Sequence, residues 1–198
     1  DRFVAQLYDE NGEDDSAGPI ASLPWWNEWL EVLLEHGDPK QWVVGIGNYG
    51  YDWTRGERAP ARTLTYDDVM ALANDLQAEP EMRGRERNPH FTYEDDEGAL
   101  HDVWFLDALT AWNETVLAHR RHVAGLGLWR LGSEAPQTWA VIDGGLAEAR
   151  ALAAVPALER IEYPASGELL RIESVPHGGQ VDLSLDGDLV DYARYLVT

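Results

Sequence analysis

The sequence contains no cysteine, which removes disulfides, thiolate zinc sites and cysteine nucleophiles together. Positive charge is scarce. Fifteen Lys and Arg face 36 Asp and Glu, for a formal net charge of -21 over 198 residues. A surface this acidic repels phosphate backbones and anionic membranes, so nucleic acid is not an expected partner. A neutral or weakly cationic sugar polymer meets no such penalty. No window approaches 18 uninterrupted apolar residues, so no membrane insertion is expected. The chain opens Asp1-Arg2-Phe3-Val4, with neither an initiator Met nor a basic and then apolar leader, and reads as a fragment, a processed form or a trimmed chain.

What the chain does have is apolar and aromatic mass. Hydrophobic residues make up 44% and aromatics 10%, enough to bury a core of one domain with at most a small appendage. Nine Trp and eight Tyr stand out. Each offers a flat apolar face with one polar handle, suited to sugar rings as well as to core packing.

Residues 3–8 read as a buried strand, followed by an acidic loop over 9–19. From Pro24 the set Trp26, Trp29, Leu30, Leu33 and Leu34 recurs at helical spacing up to Gly37-Asp38-Pro39. A second strand, residues 42–47, runs into the aromatic tip Tyr49-Gly50-Tyr51-Asp52-Trp53. Strand, helix and strand in this order predict a parallel sheet. Residues 54–62 read as a polar loop, and Thr65 with Asp68 as a capping box for a helix over 66–77. Residues 80–88 are charged and irregular. Residues 91–93 and 101–105 form a predicted hairpin. A helix over 106–122, a Gly-rich strand over 123–129 and a short helix from Trp139 to Ile142 follow. In the tail, residues 168–173 and 181–185 alternate between turn signals, predicting a β-hairpin appendage with its own apolar face.

Three of these segments together resemble family 18 glycoside hydrolases, the chitinase-like group. Gln6-Leu7-Tyr8-Asp9 is similar to the family's Met-x-Tyr-Asp at the end of barrel strand six. Residues 44–53 resemble strand seven and its aromatic exit. Gly125-Leu126-Gly127-Leu128-Trp129-Arg130-Leu131-Gly132 is similar to strand eight. Residues 91–93 and 103–108 match a segment that relatives carry before helix seven. The resemblance is nearest to a family 18-like domain of large bacterial proteins that also carry a polysaccharide deacetylase and a glycosyltransferase. It implies an α/β fold, a partial (β/α)8 barrel comprising strands six to eight. Residues 1–150 would hold the barrel part, with a small α+β insertion over about 60–104, and residues 151–198 the β-rich appendage.

The resemblance also implies a chemistry. Family 18 enzymes use the substrate's own N-acetyl oxygen as nucleophile, and one carboxylic acid protonates the leaving oxygen. By likeness, Tyr8 would hydrogen-bond that oxygen and Asp9 would orient the N-acetyl N–H. Trp129 would stack beneath the ring, Tyr49, Tyr51 and Trp53 would sit at the rim, and Trp104 would join the binding surface. Gln6 departs from the family's usual Met. The acid itself belongs to an Asp-x-x-Asp-x-Asp-x-Glu motif that occurs nowhere in these 198 residues. The expectation is therefore an N-acetylglucosamine-type polysaccharide or oligosaccharide as partner, and no hydrolysis by this chain alone. The alternative is a carbohydrate-binding or structural module, either self-associating or packing on neighbouring domains. Family likeness places such a protein outside the cytoplasm.

Other constellations predict less. His119 and His122 lie one helical turn apart without a third ligand, and residues 9–15 lack the spacing of a calcium loop, so no metal is expected. Gly45-x-Gly47 and Gly125-x-Gly127 are not phosphate loops, and no cofactor is expected.

Overall fold

A computed structural model describes residues 1–82 and 85–139, together with 160–162, 170–173, 180–186 and 189–194 in the tail. The chain runs β1 (Phe3–Gln6), α1 (Leu23–Leu34), β2 (Trp42–Gly47), β3 (Gly50–Thr54), β4 (Arg62–Leu64), α2 (Tyr66–Asp75), β5 (Glu81–Met82), β6 (Pro89–Glu94), β7 (Leu100–Phe105), α3 (Ala108–Arg120) and β8 (Gly125–Trp129). Four tail strands follow, β9 (Arg160–Glu162), β10 (Leu170–Glu173), β11 (Gln180–Asp186) and β12 (Leu189–Arg194).

β1, β2 and β8 form a parallel sheet with β2 in the centre. Phe3 lies opposite Trp42 and Gln6 opposite Gly45, while Val43 lies opposite Gly125 and Gly47 opposite Trp129. Long helical crossovers impose the parallel sense. Val44 and Ile46 are fully buried, as the central strand of a covered sheet requires. α1 begins at Ser22 with Pro24 in its first turn and buries Leu23, Trp26 and Leu30. The apolar stripe is narrower than the sequence suggests. Trp29 remains 47% exposed and meets the edge of Trp25 at 6.5 Å.

α3 starts at Asp107, whose side chain accepts from the Thr110 N–H at 2.9 Å. It packs against α1, β2, β8 and β12, and every residue from Ala108 to Ala118 is buried. Enclosure on all sides explains why the helix carries little amphipathic pattern.

The second sheet has the order β4-β3-β7-β6-β5-β12-β11-β10-β9. It corrects three sequence expectations. The aromatic tip is no exposed exit but strand β3, paired antiparallel with both β4 and β7. The irregular segment over 80–88 contains β5, which pairs with β6. Among the described residues the tail is a four-stranded antiparallel run rather than one hairpin, and β12 joins β5 to continue the insertion's sheet. The expected capping box at Thr65 and Asp68 is present. Of the short helix over 139–142, all but Trp139 lies outside the described residues.

Alternation along β3 divides that sheet's faces. Tyr51 and Trp53 join the core that contains Leu7, Ile20, Trp26, Leu30 and Val44. The opposite face packs Leu64, Val69, Ala73, Phe91, Val103 and Phe105 under α2. Asn88, fully buried, ties the insertion to the loop after β1: its amide accepts from the Ala21 N–H at 2.9 Å and donates to the Ala21 carbonyl at 2.8 Å.

Candidate functional site

The C-terminal ends of β1, β2 and β8 converge on one edge, the end at which parallel α/β sheets carry their ligand groups. β1 leads into Tyr8 and Asp9, β2 into Asn48 and Tyr49, and β8 ends at Trp129. Two glycines on one face of β2 make room there. A Cβ at residue 45 would lie 3.0 Å from the Ala5 carbonyl and from Tyr8 Cε1. One at residue 47 would lie 2.6 Å from Leu106 Cδ1 and 3.1 Å from Tyr8 Cβ. Tyr8 rests on bare backbone.

The Tyr8 ring stacks on Trp129 with centroids 6.3 Å apart and planes 15° from parallel. It meets Tyr49 edge-on at 6.2 Å. Trp129 is 51% exposed, so an aromatic surface faces solvent. Beside it the Asn48 amide donates to the Arg130 carbonyl at 2.7 Å and ties down the exit of β8.

Asp9 has a left-handed backbone, φ 62°, uncommon outside glycine. Its Oδ1 accepts from the Tyr49 hydroxyl and, at 3.1 Å, from the Tyr51 hydroxyl. Burial pushes both phenols well above their ordinary pKa, and the Asp9 carboxylate adds to the effect. The Tyr8 hydroxyl is raised too, by burial first and Asp9 second, with a hydrogen bond from the Gln6 side chain opposing them. All three phenols therefore remain protonated donors around one carboxylate.

Five of the seven residues singled out in the sequence thus meet, namely Tyr8, Asp9, Tyr49, Tyr51 and Trp129. Trp53 follows through its ring contact with Tyr51 at 5.3 Å. Their exposure differs from the rim expected for them: Tyr49 is 5%, Tyr51 7% and Trp53 5% exposed. Pairing of β3 on both edges folds these rings into the core, where Tyr49 and Tyr51 hold Asp9 rather than line an open rim. Trp104 lies opposite Tyr51 in the strand register, half-buried, and stacks on His90 at 4.3 Å. Sequence reasoning missed Asn48 and the Trp104–His90 pair, which depends on the β6–β7 register. It also missed the role of Gly45-x-Gly47, although glycines at a two-residue spacing mark one face of a strand.

Two carboxylates of the acidic loop after Asp9 accept from backbone N–H groups. Glu10 accepts from the Ser22 N–H at 2.7 Å, and Asp15 from the Gly12 N–H at 2.9 Å. His119 and His122 lie at the C-terminal end of α3, near the start of β8 and away from Asp9. No cluster of three metal-ligating side chains occurs among the described residues.

No family model matches the chain. Individual proteins do. The uncharacterized glycosylase YvbX of Bacillus subtilis is 26% identical over 145 residues, a match covering 73% of this chain and 42% of that protein. The cortical fragment-lytic enzyme of Bacillus anthracis is 26% identical over 148 residues, covering 72% of this chain and 34% of that enzyme. Among solved structures, a chitinase from Chromobacterium violaceum superposes with a TM-score of 0.69 at 28% identity, over 74% of this chain and 46% of its own. The chain is similar to the family 18, chitinase-like glycosidases. It spans less than half the length of each of these relatives. The likeness agrees with a mixed α/β fold of the kind they share.

Proposed function

We propose that this chain is the C-terminal part of a family 18-type barrel and supplies one wall of a site for N-acetylglucosamine-type polysaccharide. β1, β2 and β8 take the places of barrel strands six to eight. Residues 1–150 carry the barrel part, with an insertion over about 60–104, and residues 151–198 the β-rich tail. The observation behind this reading is the exposed Trp129 stacked on Tyr8 beside Asp9, all at the ends of parallel strands.

In this reading a sugar ring lies on Trp129 through its apolar face. The Tyr8 hydroxyl donates to the N-acetyl oxygen and Asp9 accepts the N-acetyl N–H. As that oxygen attacks the anomeric carbon, positive charge develops on the closing oxazolinium ring, and the nearby Asp9 carboxylate stabilises it. Tyr49 and Tyr51 fix that carboxylate, Trp53 backs them from the core, and Trp104 extends the aromatic wall. Protonation of the leaving oxygen needs a carboxylic acid that these 198 residues do not offer in the family's motif, so the chain alone binds without hydrolysing. By the same likeness the site works outside the cytoplasm.

The test is a titration with chitooligosaccharides followed by Trp fluorescence. Quenching that disappears in Trp129→Ala supports the wall. No quenching, or identical quenching in the variant, overturns it, and turnover by the chain alone refutes the predicted inactivity.

One observation favours a second role, packing against another chain or domain. Among the described residues β1 and β8 each pair only with β2, and Phe3 and Val4 are 51% and 69% exposed. Such edges invite pairing. Light scattering decides whether copies of this chain meet there, and a clean monomer leaves neighbouring domains as the occupant.

A further inference from the structure

Asn48 stands where the two halves of the wall are joined, yet it does not reach the surface. It follows Gly47, whose bare backbone gives Tyr8 its room, and precedes Tyr49, whose hydroxyl donates to Asp9. It is 2% exposed, and its amide donates to the Arg130 carbonyl at 2.7 Å. Its Oδ1 is buried with no hydrogen-bond partner among the described residues. A buried oxygen left unpaired works against folding. An apolar side chain of the same size would avoid that cost, so stability does not account for an amide at this position.

The use of the amide lies across the sheet. The β2–β8 ladder ends at the pair Gly47–Trp129, and glycine offers the indole no cross-strand side chain to pack against. Tyr8 stacks on one side of that indole, and about half of Trp129 is open to solvent. One residue further, the Arg130 carbonyl accepts from the Asn48 amide at 2.7 Å and from the Ser133 N–H at 3.4 Å, the second within its own turn. The Asn48 amide is therefore the short bond that carries the strand pairing past Trp129. It holds the backbone from which the indole projects. A half-exposed ring that is fixed before the ligand arrives spares the ordering cost that binding otherwise bears.

We infer that Asn48 is a positioning residue of the saccharide wall: without touching the sugar, it sets Trp129 against Tyr8 through the Arg130 carbonyl. The inference rests on the saccharide-binding reading above. It assigns Asn48 to binding at the expense of stability, so the two properties should part when the amide is removed.

Asn48→Leu keeps the volume and removes both polar atoms, and Asn48→Ala, measured beside it, adds no bulk. Affinity for a chitooligosaccharide is read by calorimetry and stability by the urea midpoint. The seating of Trp129 is read by near-ultraviolet circular dichroism, with its share taken as the difference from Trp129→Phe. Both variants should bind roughly three- to tenfold more weakly and lose the Trp129 share of the dichroism. Asn48→Leu should keep or raise the urea midpoint, because the unpaired oxygen is gone. Weaker binding with the Trp129 signal intact overturns the inference. A lower midpoint in Asn48→Leu, or failure of both variants to fold, marks Asn48 as a residue of the fold alone and overturns it too. If the unaltered chain binds and either variant binds equally well, the saccharide reading stands and only the role of Asn48 falls. If the unaltered chain binds no chitooligosaccharide, the saccharide reading falls and the role of Asn48 with it.

Discussion

Replacing Asp107 by Asn should change how the stability of this chain depends on pH. Asp107 begins α3, is 4% exposed, and its Oδ1 accepts from the Thr110 N–H at 2.9 Å and the Thr110 hydroxyl at 3.1 Å. Burial raises its carboxyl from 3.8 to about 6, against the pull of the Thr110 N–H in the other direction. At 1.36 kcal/mol per pH unit, that difference corresponds to about 3 kcal/mol. The sign follows from which state releases its proton first. As pH climbs, the unfolded chain ionises this group before the folded chain does. The stability conferred by the neutral carboxyl is therefore whole below about pH 4 and lost as pH rises to about 6. Asn caps a helix as well as Asp and never ionises. In Asp107→Asn the decline over that window should shrink, leaving the variant more stable than the parent near neutrality by up to about 3 kcal/mol, or roughly 6–12 °C in Tm. Urea melts followed by Trp fluorescence, taken at intervals from about pH 4 to about pH 7, measure this directly. Parallel curves for variant and parent would refute the reasoning. Asp107→Ala separates the cap from the charge, since losing the cap costs about 1 kcal/mol at every pH.

Glu114 sits fully buried on the same helix, with neither carboxylate oxygen hydrogen-bonded among the described residues. Burial raises its pKa well above the ordinary value, and Asp107 adds to this. Glu114→Met should stabilise the fold by about 1–2 kcal/mol near neutrality, and a lower denaturation midpoint would contradict the lack of a partner. Gly47→Ala places a Cβ 2.6 Å from Leu106 Cδ1 and 3.1 Å from Tyr8 Cβ. It should cost about 1–3 kcal/mol and weaken oligosaccharide quenching as Tyr8 shifts off Trp129, so unchanged melts and titrations would count against the role of bare backbone. Asn88→Ala leaves both backbone groups of Ala21 unpaired in the interior and should cost about 2–4 kcal/mol, read from the same urea melts.

Much of the frame was legible locally. The apolar run at 42–47 becomes the buried central strand of the parallel sheet and the Gly-rich run at 125–129 its half-exposed neighbour, and the Thr65–Asp68 box opens a helix because both partners lie within one turn. The motif residues Tyr8 and Asp9 follow β1 and Trp129 ends β8, and those two strands flank β2. The alternation Tyr49-x-Tyr51-x-Trp53 was just as visible, yet nothing within that segment says which strands flank it. A period of two shows which side chains share a face, not whether that face meets solvent or a core.

By itself, then, the sequence determined the acidic surface, the lack of any cysteine chemistry, the strand–helix–strand order of the parallel sheet, and the strand ends that carry Tyr8, Asp9 and Trp129. Each of these follows from composition or from contacts a few residues apart. Only the tertiary structure decided that Tyr49 and Tyr51 clamp Asp9, that Trp53 is covered while Trp129 stays open, and that α3 buries Glu114. Those outcomes depend on β3 pairing with β4 and β7 and on α3 lying between two sheets. Such contacts join residues tens of positions apart, and burial is a property of all of them together.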